Sequence, residues 1–141
     1  MPAPIVVDAS LTFRLLLPGP QQEQCRALVT GWLREGCELV ATTLWVYEMT
    51  SAVCKLVHLG ELSAEEGERV LAQLQAMEVR LMAPDAAQVQ LAFNWTRRLE
   101  RAAAYDSFYL ALAETLGCPF WTADRHLVRA ANTPWVHWAF A

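Results

Sequence analysis

The sequence predicts an α/β fold, an open parallel sheet flanked by helices, on three observations. Ile5-Val6-Val7 is an unbroken β-branched run, which reads as a strand covered on both faces. Later apolar runs of strand length alternate with stretches of helical spacing, the pattern of crossovers between parallel strands. With 141 residues, 55% of them apolar, the chain fits one domain with a single substantial core, taken as residues 1–141.

The first strand, Ile5-Val6-Val7, stops on Asp8, and Ser10 to Leu17 is a short helical stretch ended by Pro18-Gly19-Pro20. From about Gln21 to Arg34 the residues Leu28, Val29, Trp32 and Leu33 recur at helical spacing, and Gly36 is a stop. Leu39-Val40-Ala41 reads as the second strand. Thr42 or Thr43 can cap a long helix to about Leu59, closed by Gly60. Ser63 and Glu66 form a capping-box match that opens a helix to about Met77. Val79 to Met82 is the third strand, and Asp85 to about Arg101 an Ala- and Gln-rich helix. Asp106 to Leu116 is again helical and is stopped by Gly117-Cys118-Pro119. The strand Phe120-Trp121-Thr122 runs towards a second carboxylate, Asp124. A short helix, Arg125 to Ala131, and an edge strand, Trp135 to Trp138, complete the chain. Helix should clearly outweigh strand.

Composition excludes several classes. Only 18% of residues are charged, far from a disordered balance, and the longest uncharged stretch, Ala130 to Ala141, has 12 residues, too few for a membrane span. No basic-then-apolar leader is read at the N-terminus, so the expected compartment is the cytoplasm. Cys25, Cys37, Cys54 and Cys118 are unevenly spaced without a zinc pattern and read as reduced core thiols. A net charge of −4 is not that of a protein holding long nucleic acid by electrostatics alone.

Four acids stand out: Asp8 and Asp124 after strands, Glu48 and Asp106 on helices. Each has an ordinary reading beside the chemical one. Asp8, Asp106 and Asp124 are also suited to capping a helix, and Glu48, whose face carries Ser51, Ala52 and Lys55, can simply meet solvent. In one pocket they would repel strongly. Two carboxylates about 5 Å apart at an effective dielectric near 20 repel by about 3 kcal/mol, so six such pairs sum to the order of 20 kcal/mol. That exceeds the roughly 5–15 kcal/mol of a typical domain. Such a cluster must hold protons or cations, and oxygen ligands without His or Cys suit Mg²⁺ or Mn²⁺.

The four acids lie within segments that resemble a known family. Ile5-Val6-Val7-Asp8-Ala9-Ser10, Tyr47-Glu48-Met49-Thr50-Ser51-Ala52-Val53, Tyr105 to Ala113 and Thr122-Ala123-Asp124-Arg125-His126-Leu127 occur in the order and spacing of PIN-domain ribonucleases. The resemblance covers nearly the whole chain and is nearest to the VapC-type toxins of toxin–antitoxin pairs. It implies a PIN-like three-layer sandwich whose central parallel sheet has five strands in the order 3-2-1-4-5. It also implies metal-dependent cleavage of RNA phosphodiester bonds, a cognate antitoxin and a homodimer. Carried over residue by residue, Asp8, Asp106 and Asp124 would bind the metal, Glu48 would bind it or a water on it, and Ser10 and Thr122 would supply supporting hydroxyls. Ser51 departs from the family, which frequently carries Asn there.

Two other readings compete. A PIN-fold module can keep the acids yet serve only to bind protein or RNA. A haloacid-dehalogenase-like phosphatase needs a second Asp where this chain has Ser10. Arg97, Arg98 and Arg101, and the group Arg125, His126 and Arg129, read equally as RNA-phosphate contacts or as solvated helix faces. His58, His126 and His137 are too scattered for a metal or catalytic triad. Trp135 and Trp138 are the expected dimer or antitoxin contacts.

Overall fold

In the computed structural model, which describes residues 2–140, β1 (Pro4–Val7) is the central strand of a five-stranded sheet. Its neighbours are β2 (Glu38–Thr42) and β4 (Phe120–Thr122), with β3 (Val79–Met82) and β5 (Val136–Trp138) outside them. The order is β3-β2-β1-β4-β5 and every pairing is parallel. Both inner neighbours and both faces shield β1, which explains its lack of polar alternation. Val6 joins Val40 and Phe120 against the helices of one face, while Ile5 and Val7 join Leu39 against those of the other.

The helices are α1 (Ala9–Leu16), α2 (Gln22–Arg34), α3 (Leu44–His58), α4 (Ala64–Ala76), α5 (Ala86–Arg98), α6 (Tyr105–Leu116) and α7 (Arg125–Ala131). On the Val6 face, Trp45 and Met49 of α3, Trp95 of α5, Leu110 and Leu112 of α6 and Leu127 of α7 share one core. On the Val7 face, Leu11 of α1 and Cys25, Val29 and Trp32 of α2 pack with Ala139 and Phe140. The result is a three-layer arrangement with the sheet in the middle.

The helix boundaries follow local chemistry. The capping box at Ser63 and Glu66 forms both of its bonds, at 2.9 and 3.1 Å. Gly117 ends α6 in the left-handed region, φ 61°, where a glycine is least strained. Thr43 precedes α3 but makes no side-chain cap bond, because its backbone is already helical there, φ −60° and ψ −22°. Helix α5 ends three residues before the expected Arg101. Glu100 adopts φ 54° and turns the chain, and the Arg101 N–H returns to the Thr96 carbonyl at 3.2 Å. Cys25 and Cys118 are buried as expected, whereas Cys54 is exposed on α3. Trp135 and Trp138 are half-buried and lie edge-on to Trp95 and Phe140 respectively.

Candidate active site at the carboxyl edge of the sheet

The chain leaves β1 towards β2 on one side and later returns to β4 on the other. The carboxyl ends of β1 and β4 therefore flank the point where strand order reverses, the usual place for a ligand crevice in an open α/β sheet. Asp8 follows β1 and Asp124 follows β4, with Val7 paired to Trp121 just behind them.

Asp8 is 4% exposed and held from three directions. Its Oδ1 accepts from Ser10 Oγ at 2.7 Å and from the Leu11 N–H at 3.0 Å, and its Oδ2 accepts from Thr122 Oγ1 at 2.5 Å. The same two hydroxyls accept from the next strand's exit: Ser10 Oγ from the Ala123 N–H at 3.1 Å, Thr122 Oγ1 from the Asp124 N–H at 3.0 Å. Ser10 and Thr122 thus tie the two strand ends together around one carboxylate. Burial lifts the Asp8 carboxyl to about 6; its hydrogen bonds oppose the rise and the charge of Asp106 adds to it.

The cap reading of Asp8 and Asp124 is observed, and it leaves both carboxylates at the carboxyl edge of the sheet. Asp8 caps α1, and Asp124 caps α7 by accepting from the Leu127 N–H at 3.1 Å. Asp106 does not cap α6; it is the second residue of that helix and its Oδ2 accepts from Arg101 Nη1 at 2.7 Å. Burial raises the Asp106 carboxyl above its usual range, Arg101 opposes this, and the charge of Asp124 adds to it. Glu48 is half-buried rather than turned to solvent, and its Oε1 accepts from the Tyr109 hydroxyl at 2.7 Å. Burial raises Glu48 as well, the Tyr109 bond opposes, and again the charge of Asp106 adds.

Asp106 is therefore the hub: it exchanges charge repulsion with Asp8, Glu48 and Asp124. Four acids from four separate elements converge on one edge. They stop short of closing on a point. Among the described residues no three His, Cys, Asp or Glu side chains are gathered tightly enough to hold an ion as they stand. The cause is visible in the bonding, since Asp106 is turned onto Arg101 and Asp8 is held by hydroxyls. The donor chemistry still fits a hard divalent cation, being carboxylate and hydroxyl oxygen throughout. The buried Thr42 hydroxyl at the end of β2, beside Tyr109, completes no hydrogen bond of good geometry and is a further uncommitted oxygen at this edge.

The contacts of three supporting residues escape a reading of the sequence. Tyr109 is 1% exposed and stacks on Phe120 with ring centroids 6.0 Å apart, which fixes its hydroxyl on Glu48. Burial and the Glu48 charge hold that phenol far above its ordinary value. The available signal was its spacing, three residues after Asp106 and so on the same face of α6. Thr12 donates to the Asp8 carbonyl at 2.9 Å and accepts from Trp45 Nε1 at 2.8 Å, locking α1 to α3. Arg101 departs from its basic group altogether. Of its companions, Arg98 packs over Trp95 and donates to the Ala131 carbonyl at 3.0 Å, so it is a structural residue, while Arg97 lies exposed over Phe93.

The model of the PIN domain family matches residues 5–132. The chain belongs to the PIN domain family. Within it, the chain is similar to ribonuclease VapC3 of Pyrobaculum aerophilum, 29% identical over 123 residues that cover 87% of this chain and 91% of that protein. The fold is also that of FitAcB from Neisseria gonorrhoeae, with a TM-score of 0.72 and 18% identity over 94% of this chain and 95% of that one. A toxin–antitoxin complex from Klebsiella pneumoniae matches with a TM-score of 0.71 and 11% identity, covering 96% of this chain and 98% of its counterpart. At such identities these two structures speak for the PIN fold alone. The strand order expected of a PIN domain is the one observed.

Proposed function

We propose that the chain is a ribonuclease that uses a divalent cation, Mg²⁺ or Mn²⁺, to hydrolyse RNA phosphodiester bonds, and that it is the toxin of a toxin–antitoxin pair. The observation that carries the reading is the set of four oxygen-donor acids coupled through Asp106 at the carboxyl edge of the sheet. Membership of the PIN domain family and similarity to a protein named as a VapC ribonuclease support it. Asp8, Asp106 and Asp124 would hold the ion, with Glu48 holding it or a water beside it. Bound there, such a cation supplies Lewis-acid chemistry, water activation and charge neutralisation on a phosphodiester.

The chain's own part is positioning. Ser10 and Thr122 aim the Asp8 carboxylate, Tyr109 aims Glu48, and the first-turn N–H groups of α1 and α7 hold Asp8 and Asp124 by donating to them. For the homodimer and antitoxin contacts we favour the exposed apolar side chains Tyr47, Val89, Phe93 and Tyr105 over Trp135 and Trp138. Among the described residues no helix is long and apolar enough to cross a membrane, and the proposed setting is the cytoplasm.

One observation favours a second reading, a PIN module that binds protein or RNA without cutting: a guanidinium already neutralises Asp106. Cleavage of a tRNA, rRNA and synthetic RNA panel with Mg²⁺, Mn²⁺ or EDTA separates the two. Metal-dependent cuts by the purified protein that vanish in Asp8→Asn and Asp106→Asn are the expected result. Undiminished cleavage by Asp106→Asn would sink the proposed site, and metal binding without any cleavage would favour the silent module.

A further inference from the structure

Among the described residues Arg101 is the one basic residue that forms an ion pair with an acid of the site. Of the three ion pairs among the described residues, Arg26 with Glu23 and Arg80 with Glu38 lie elsewhere, and only Arg101 with Asp106 reaches the carboxyl edge. Its contact is short, 2.7 Å from Nη1 to Oδ2, with side chains 30% and 37% exposed, so solvent screens it only in part.

The backbone around Arg101 is fixed. Helix α5 closes with the Leu99 N–H on the Trp95 carbonyl at 2.8 Å, the Glu100 N–H on Arg97 at 3.1 Å and the Arg101 N–H on Thr96 at 3.2 Å. This helix end normally carries Gly at the left-handed position, and here Glu100 occupies it at φ 54°. A contact of 2.7 Å between Thr96 Oγ1 and Ser107 Oγ then fastens the end of α5 to the residue after Asp106. The guanidinium therefore has a pinned base beside a pinned carboxylate, and only side-chain rotation separates them. Asp106 is also the carboxylate that every other acid of the site repels.

We propose that Arg101 is an internal counter-cation that competes with the divalent ion for Asp106, so that metal loading and release of Arg101 are one linked event. The inference rests on the metal reading of the site. Without the ion, Arg101 offsets the repulsion at the hub. To load the ion, Asp106 must exchange a guanidinium for it, and the displaced positive charge remains close by. Both effects weaken metal affinity, which distinguishes this role from that of a residue that merely shapes the site or grips RNA. Removing the charge should tighten metal binding, whereas losing a shaping residue would loosen it.

The test is Mn²⁺ binding without RNA, read from the free-ion paramagnetic resonance signal, for the wild-type protein, Arg101→Met, Arg101→Lys and Asp106→Asn. Expected is at least tenfold tighter binding by Arg101→Met, wild-type-like affinity for Arg101→Lys, and strong loss in Asp106→Asn. A second measurement uses the wild-type protein alone: the ¹⁵N guanidinium resonance of Arg101 should shift as Mg²⁺ saturates the site. Equal or weaker binding by folded Arg101→Met, or an unmoved resonance, overturns the inference and leaves the metal site standing. Absence of saturable Mn²⁺ binding by the wild-type protein overturns both together.

Discussion

Replacing Asp8 with Asn should make the metal-free protein more stable, although it removes a residue at the centre of the site. In the folded state burial lifts the Asp8 carboxyl from 3.8 to about 6, so ionising it costs the fold about 3 kcal/mol. The sign follows from linkage. The folded state binds this proton more tightly than the unfolded chain, so the cost is fully present above about pH 6 and disappears as pH falls below 4. Asn keeps the geometry at Oδ1, where Ser10 Oγ and the Leu11 N–H donate, and remains a good N-cap. Its amide would donate to Thr122 Oγ1, whose own proton can turn to Ser10 Oγ, 3.1 Å away. The 2.5 Å contact with Thr122 Oγ1 is too short for an amide N–H donor and must lengthen, which forfeits about 1–2 kcal/mol. The net gain at pH 7.5 is about 1–2 kcal/mol, or about 3–6 °C in Tm for a chain of this size. Thermal melts in EDTA from pH 4 to 8 measure it, and the advantage should shrink steadily towards pH 4. An Asn variant less stable than wild type by the same margin at every pH would refute the reasoning.

Two further substitutions probe the frame around the site. Tyr109→Phe keeps the stack on Phe120 and removes only the hydroxyl that donates to Glu48, so kcat/KM should fall about tenfold while stability changes by about 1 kcal/mol, measured by RNA cleavage beside urea unfolding. Gly67→Ala in α4 would set a Cβ 2.8 Å from Val57 Cγ2, and overpacking should outweigh the better helix propensity by about 1 kcal/mol. Adding Val57→Ala should recover that loss in a double-mutant cycle.

The strands were legible because β-branched runs such as Ile5-Val6-Val7 have one use in a sheet buried on both faces, and the turn residues around them are unambiguous. Asp8 and Asp124 were legible for a related reason: both sit where a strand gives way to a helix. What escaped depends on tertiary contact. Nothing in the order of residues says that Tyr109 meets Glu48 from 61 positions away, or that Arg101 faces Asp106 instead of solvent. The end of α5 was misplaced because Glu100, a good helix former, takes a left-handed turn set by its neighbours' carbonyls. Trp135 and Trp138 have a size that suits an interface and a core equally, and each is half-buried beside one aromatic partner on the same chain.

Asp8 and Asp124 each start a helix as well as facing the site, and that double duty shapes how the protein can lose its chemistry. Asn meets the helix requirement as well as Asp does, but it is a poorer ligand for a hard cation. In the genetic code an Asp codon becomes an Asn codon by a single G-to-A change. On the proposed metal reading, a folded, chemically silent form at these two positions lies one nucleotide from the present gene, whereas most other single steps from the same codons also damage the helix that follows.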